Sequence, residues 1–324
     1  MKTMKRWISS SVGLLAAGLC LFVGAESAQA VDSFDAKGGA HIAVWRPSNG
    51  TFYVYNRATG ATKVQQWGLP GDIPVPADYD GDGTTDFAIF RPSDGTWWAI
   101  YSSTGQGWYW QWGQRGDIPV PGNHYTNSIE FTVFRPSNGT WYSLNIRDGA
   151  QHSKQWGQRG DVPVAGNFSV GGSFLLLPQR GFAVWRPASG NWYISDAYGT
   201  KKYATRQWGA SEDKVVAGDY NGDGVQDLTV WRPSNGTWYS ILSNYRTAPA
   251  GGTTKAQQWG QYGDIPIAMD YDDDGKDDFT VWRPENGTWY ILKSSVYQYE
   301  AYQWGQVGDI PVPYYVSKPA PVVK

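Results

Sequence analysis

The sequence predicts an all-β protein, a six-bladed β-propeller of four-stranded antiparallel blades. Three observations predict it. An aromatic-Arg-Pro step occurs six times, a Gln-Trp-Gly step follows each one, and the two ends of the repeat region are complementary parts of a single unit. The first step stands at Trp45-Arg46-Pro47, Phe90-Arg91-Pro92, Phe134-Arg135-Pro136, Trp185-Arg186-Pro187, Trp231-Arg232-Pro233 and Trp282-Arg283-Pro284. The second has its Trp at 67, 112, 156, 208, 259 and 304. Spacings between the arginines of 45, 44, 51, 46 and 51 residues give the length of a propeller blade.

Each unit divides into strands. In the second copy Phe87-Ala88-Ile89-Phe90-Arg91 is one strand, Pro92-Ser93-Asp94-Gly95 a turn, and Thr96-Trp97-Trp98-Ala99-Ile100-Tyr101 the next strand. Asn-Gly or Asp-Gly in that turn supplies the positive φ that tight hairpins need. A third strand ends at Gln111-Trp112-Gly113. The stretch Asp117-Ile118-Pro119-Val120-Pro121 leads a fourth, whose prolines suit an edge or innermost position. The first copy starts at Ile42 without this Pro-Val-Pro strand, and the last is followed by Asp309-Ile310-Pro311-Val312-Pro313. The C-terminal strand should therefore complete the N-terminal blade and close the ring, hiding both sheet edges.

The chain divides into three parts. Lys2, Lys5 and Arg6, the apolar run Val12–Val23 and Ala28-Gln29-Ala30 predict a signal peptide over residues 1–30. The run of 12 residues is short for a membrane span, which needs about 20. Residues 31–316 form the propeller and 317–324 a tail. The expected location is secreted, cell-surface or periplasmic. The only cysteine, Cys20, lies within the predicted signal peptide. Without residues 1–30 the chain carries 24 basic and 28 acidic side chains, a balance of −4 that does not suit nucleic acid. The 19 Trp, 21 Tyr and 40 Gly suit strands and turns.

Three copies carry an acidic loop before the aromatic-Arg-Pro strand. It reads Asp78-Tyr79-Asp80-Gly81-Asp82-Gly83-Thr84-Thr85-Asp86 in the second copy and Asp219-Tyr220-Asn221-Gly222-Asp223-Gly224-Val225-Gln226-Asp227 in the fifth. In the sixth it reads Asp270-Tyr271-Asp272-Asp273-Asp274-Gly275-Lys276-Asp277-Asp278. Side-chain oxygens fall at loop positions 1, 3, 5 and 9. Position 7, Thr84, Val225 or Lys276, can offer a backbone carbonyl. Ca²⁺ takes six to eight oxygens, so three calcium sites are expected. The EF-hand would need Glu at position 12, where Ile89, Val230 and Val281 stand. The third copy (Asn123 to Glu130), the fourth (Asn167 to Gly172) and the first (Ser33 to Lys37) have lost the pattern, and no metal is expected there.

The Asp-x-Asp-x-Asp-Gly-x-x-Asp loop followed by a strand resembles the FG-GAP-like, or VCBS-type, repeats and, more distantly, integrin α-subunit propellers. The resemblance covers about residues 32–316. It implies a calcium-stabilised propeller serving adhesion or recognition. Integrin propellers have seven blades where the count here is six, and Gln-Trp-Gly and Gly-Asp-Ile-Pro replace the steps that name the family.

Each copy pairs one Arg with one Asp, at 72, 117, 161, 213, 264 and 309. Matched counts suggest a ring of Arg–Asp pairs between strands or blades, with six anion sites as the alternative. The Gln-Trp-Gly tryptophans suit packing between blades, or a sugar platform. Arg115-Gly116-Asp117 and Arg159-Gly160-Asp161 match an adhesion tripeptide, but the Gly-Asp belongs to the repeat. Asn-Gly-Thr at Asn49, Asn138, Asn235 and Asn286 is accounted for by the turn. With three His and no catalytic motif, catalytic residues are expected to be absent. The expected function is a monomeric recognition module for a glycan or an extracellular protein. A purely structural extracellular domain and a polysaccharide hydrolase or lyase are the alternatives.

Overall fold

A computed structural model describes residues 34, 41–126, 128–166, 168, 181–196, 202–243 and 252–312. The predicted signal peptide and tail lie outside the described residues. The first blade contributes β1 (His41–Arg46), β2 (Thr51–Asn56) and β3 (Thr62–Gln66). The second is β4 (Ile73–Pro74), β5 (Phe87–Arg91), β6 (Thr96–Ile100) and β7 (Gly107–Gln111). Sixteen further strands between Ile118 and Gln303 repeat that order four times, and β24 (Ile310–Pro311) ends the fold. All six sheets are four-stranded and antiparallel, which makes a six-bladed β-propeller.

Ring closure falls where the complementary ends predict. β24 pairs with β1 through Val44↔Pro311 and Trp45↔Ile310, and the Val312 N–H donates to the Ala43 carbonyl at 2.9 Å. The segment that reads Pro-Val-Pro in three copies, and Pro-Val-Ala, Val-Val-Ala or Pro-Ile-Ala in the others, takes the innermost place in each blade. In the second, the Val75 N–H donates to the Ala88 carbonyl at 2.9 Å. N–H groups of alternate residues point to the same side of a strand. Pro74 and Pro76 therefore present their missing donors to the unpaired axial side, where none is needed.

Buried aromatics fill the gaps between blades. The aromatic residue before each repeat Arg is at most 2% exposed. The residue that follows Thr or Asn in the next strand (Phe52, Trp97, Trp141, Trp192, Trp238, Trp289) is at most 1% exposed. Each Gln-Trp-Gly indole reaches one blade onward. Trp67 Nε1 donates to the Trp98 carbonyl at 3.1 Å, and the series ends with Trp304 donating to the Tyr53 carbonyl at 3.0 Å, across the closure. Trp112, Trp156, Trp208 and Trp259 make the same bond at 2.9–3.2 Å.

The six arginines pair with the six aspartates within blades, joining the innermost strand to the next. Arg135 Nε donates to Asp117 Oδ1 at 2.8 Å and its NH2 to Oδ2 at 2.9 Å. The same fork links Arg46–Asp309, Arg91–Asp72, Arg186–Asp161, Arg232–Asp213 and Arg283–Asp264. Each guanidinium also lies over the ring that follows the buried aromatic, as Arg135 does over Tyr142 at 4.3 Å. Carboxylates spent in this way assign the ring a structural role.

The hairpin turns differ from the sequence expectation in one respect. Only the glycine takes positive φ, 63–75° across the six copies, and the residue before it, Asn, Asp or Ser189, does not. The turn is a four-residue loop in which the Gly139 N–H donates to the Arg135 carbonyl at 2.8 Å. A Cβ on Gly139 would lie 2.1 Å from the Gly157 carbonyl oxygen of the Gln-Trp-Gly step. Gly139→Ala must therefore move backbone as well as strain φ, and should cost about 2 kcal/mol or more. A thermal melt checks this, and an unchanged Tm would show the contact to be soft.

Candidate metal centre

Antiparallel blades give the ring two faces. One carries the hairpin turns and the Arg–Asp pairs. The other carries the acidic loops, which join the innermost strand to the next, and the turns between the third strand and the outermost, such as β6 to β7.

The first carboxylate folds each loop. Asp78 Oδ1 accepts the Gly81 and Asp82 N–H groups at 2.6 and 3.1 Å, and Oδ2 accepts Gly83 at 3.0 Å. Asp219 accepts Gly222, Asp223 and Gly224 at 2.7, 3.2 and 2.7 Å. Asp270 accepts Asp274 and Gly275 at 3.1 and 2.8 Å. Position 4 needs a left-handed backbone: Gly81 and Gly222 adopt φ of 80°, while Asp273 adopts 58° in the sixth loop.

The ninth carboxylate anchors the loop to the sheet. Asp86 Oδ2 accepts the Tyr79 N–H at 2.9 Å and Oδ1 accepts Ser102 N–H at 2.7 Å. Asp227 and Asp278 repeat both contacts, with Tyr220 and Ser243 and with Tyr271 and Ser294. These serines are part of the site and were missed by the sequence reading. Each stands eleven residues after the repeat Arg in the three copies with acidic loops, where the others have Arg57, Ile146 and Ala197.

The structure brings three carboxylates together in two of the loops. Ligand oxygens of Asp78, Asp80 and Asp86 lie within 4.8 Å of one another, as do those of Asp270, Asp272 and Asp278. Asp82 and Asp274, at position 5, stand outside these groups. Asp82 Oδ1 accepts the Thr84 N–H at 2.7 Å and Oδ2 the Ser102 hydroxyl at 2.8 Å. Asp274 Oδ1 accepts the Lys276 N–H at 2.9 Å. In the fifth loop Asn221 replaces the second carboxylate. Its Nδ2 donates to the Ser243 carbonyl at 2.7 Å and reaches Asp227 Oδ1 at 3.4 Å. Asp223 Oδ1 accepts the Val225 N–H at 3.0 Å. A cation there would meet Asn221 through its amide oxygen only after the amide turns over.

Burial works against the charge of these groups. It pushes Asp86 and Asp278 up to about 7 and Asp227 up to about 8, against hydrogen bonds from the serine N–H groups that pull the other way. Asp78, Asp219, Asp270 and Asp272 are raised for the same first reason. Asp272 Oδ1 is buried with no hydrogen-bond partner. An all-oxygen set of clustered carboxylates, one with a buried unpartnered oxygen, fits a hard divalent cation. Asp78, Asp80 and Asp86 would hold it in the second blade and Asp270, Asp272 and Asp278 in the sixth.

The third copy solves the same position without clustered acids. Its loop is one residue shorter. Glu130 takes the place of the ninth Asp and accepts the Tyr125 and Thr126 N–H groups at 3.1 and 2.8 Å. His124 replaces the loop tyrosine: its Nε2 lies 3.1 Å from the Val120 carbonyl, where Tyr79 and Tyr220 bond Val75 and Val216. Phe34 and Phe168 are buried at the same loop position in the first and fourth copies. The other residues of those two loops lie outside the described residues.

A comparison with family models found no match, and a comparison with curated proteins found none either. Solved β-propeller structures do match. They include a streptogramin B lyase (10% identity, covering 87% of this chain and 83% of that one, TM-score 0.52). The nidogen/laminin complex matches at 11% identity over 81% of this chain and 92% of that one, with a TM-score of 0.52. TolB from Acinetobacter baumannii matches at 14% identity over 85% and 66%, with a TM-score of 0.56. At these identities the likeness is one of fold.

Proposed function

We propose that the protein is a secreted, calcium-stabilised propeller that acts as a recognition module for a glycan or an extracellular protein. The calcium part is supported by the two carboxylate groups, by the unpartnered Asp272 oxygen and by the resemblance of all three loops to FG-GAP-like and VCBS-type repeats. Ca²⁺ would act there as a hard cation that neutralises buried carboxylates and ties each loop to its sheet.

One observation carries the recognition part. The connections between blades read Trp-Gly-x-x-Gly-Asp in five places and Trp-Gly-Ala-Ser-Glu-Asp in one. The frame is held by the indole bonds and Arg–Asp pairs, while the tip residue is exposed and varies around the ring: Pro70, Arg115, Arg159, Ser211, Tyr262 and Val307. Tyr262 is 83% and Val307 72% exposed. A rigid ring presenting six exposed tips of five residue types on one face suits several weak contacts acting together. The test is a glycan array and a cell-surface binding assay with the wild-type chain and Tyr262→Ala. Binding weakened by the variant at unchanged Tm supports the reading. Binding to neither surface would leave a structural domain, and turnover of a polysaccharide would replace recognition with catalysis.

A further inference from the structure

We propose that the fifth and sixth loops take up their ions as a coupled pair linked by Asp277, while the second loop acts alone; this rests on the calcium reading of the loops. Asp277 is at position 8 of the sixth loop, outside the ligand pattern, and is 3% exposed. Its Oδ2 accepts the Asp219 N–H at 2.7 Å, and its own N–H donates to the Asp219 carbonyl at 2.8 Å. Asp219 is the first ligand of the fifth loop, and Asp277 is bonded to Asp278, the ninth ligand of the sixth. One residue therefore joins a ligand of each site, by a peptide bond on one side and two hydrogen bonds on the other.

A second contact runs alongside. A Cβ on Gly222 would lie 3.0 Å from Lys276 Cγ and 3.3 Å from the Gly275 carbonyl oxygen, so the turns of the two loops abut. The second loop faces a different neighbour. Its position 8 is Thr85, and the contact from the next blade comes from Arg147, whose NH2 lies 3.4 Å from the Asp80 carbonyl. Filling the sixth loop fixes Asp277 and hence the backbone of Asp219. The fifth loop then binds with less ordering left to do, and the effect is reciprocal.

Calorimetric titration of the metal-stripped chain with Ca²⁺ tests this, with Tb³⁺ luminescence sensitised by Tyr220 and Tyr271 as a second readout. Asp78→Ala leaves the fifth and sixth sites. Adding Asp270→Ala leaves only the fifth, and adding Asp219→Ala leaves only the sixth. Coupling predicts a two-ion constant for Asp78→Ala at least about fivefold above the product of the two single-site constants. Asp277→Ala in the Asp78→Ala chain should bring that ratio to one, while Asp277→Asn, which keeps an acceptor oxygen, should preserve it. A ratio of one without any change at Asp277 overturns the coupling and leaves the calcium reading intact. A ratio unchanged by Asp277→Ala overturns the role of that residue. Wild-type chain that takes up no ion overturns the calcium reading itself. If Asp277→Ala does not fold, the ratio in the Asp78→Ala chain still decides the coupling.

Discussion

Asp309→Ala should unfold the ring at a lower temperature than Asp117→Ala, although the two aspartates make the same contacts. Each accepts a two-bond fork from an arginine and a backbone N–H, from Gln306 or Gln114, at 3.0 Å. Both side chains have no exposed surface, while their arginines are 20% exposed. Removing the carboxylate strands a guanidinium and a turn N–H, at a cost of about 3 kcal/mol for a buried pair. For a chain of this size that lowers Tm by on the order of 6 °C. The pairs differ in what they close. Arg135 and Asp117 are 18 residues apart, and Arg46 and Asp309 are 263 apart. The two-residue strand β24, the Val312 bond, the Trp304 indole and the Arg57 contacts with Glu300 and the Tyr271 carbonyl share that closure. Opening the longer loop releases about 2 kcal/mol more chain entropy. Hydrogen exchange should locate the difference, with Val312 and Trp45 losing protection in Asp309→Ala and keeping it in Asp117→Ala. Equal losses of Tm and equal protection would show that the ring does not open at this seam.

The repeat made this pairing legible in advance, because equal counts of Arg and Asp at fixed spacing need no coordinates. The partners being in one blade was not legible, since Asp117 precedes its Arg by 18 residues and follows the previous one, Arg91, by 26. The Pro-Val-Pro strand was readable as an edge or innermost strand. Its axial place follows from which nitrogens lack a hydrogen. Asn-Gly marks the turn in the sequence, but the conformation is set by the Gly157-type backbone pressed against the glycine, a contact between residues eighteen apart. Loop positions 1, 3 and 9 converge in the second and sixth blades as their spacing implies. Position 5 turns to Ser102 in the second blade, and that serine is visible in the sequence only once the copies are aligned on the repeat Arg. Contacts from a neighbouring blade left no local signal at all. Arg57 of the first blade donates to the Tyr271 carbonyl in the sixth and to Glu300 at 2.8 Å, which depends on the ring being closed.

Calcium should stabilise the protein more at pH 8 than at pH 5.5, whereas exposed carboxylates, ionised at both pH values, would give no such difference. Without an ion, burial holds Asp86 and Asp278 at about 7 and Asp227 at about 8, far above an ordinary carboxylate. A carboxyl raised by folding favours the folded state when protonated. That stability is full below the unfolded value near 4 and is lost as pH rises through about 7 to 8. In chelator, Tm should therefore fall between pH 5.5 and 8 as these three groups are forced to ionise inside the loops. Calcium replaces the protons with a charge that stays in place. In about 2 mM Ca²⁺ the fall should disappear, and the gain over chelator should be several degrees at pH 8, at roughly 2 °C per kcal/mol. At pH 5.5 protons already occupy the same oxygens and compete with the ion, so the gain should shrink to a degree or two. Asp227→Asn should flatten part of the slope in chelator, because an amide has nothing to ionise. Mg²⁺ should substitute poorly, since it holds its waters and demands a tighter octahedron than these loops offer. A calcium increment that is equal at both pH values would mean that the ion does not act on these carboxylates.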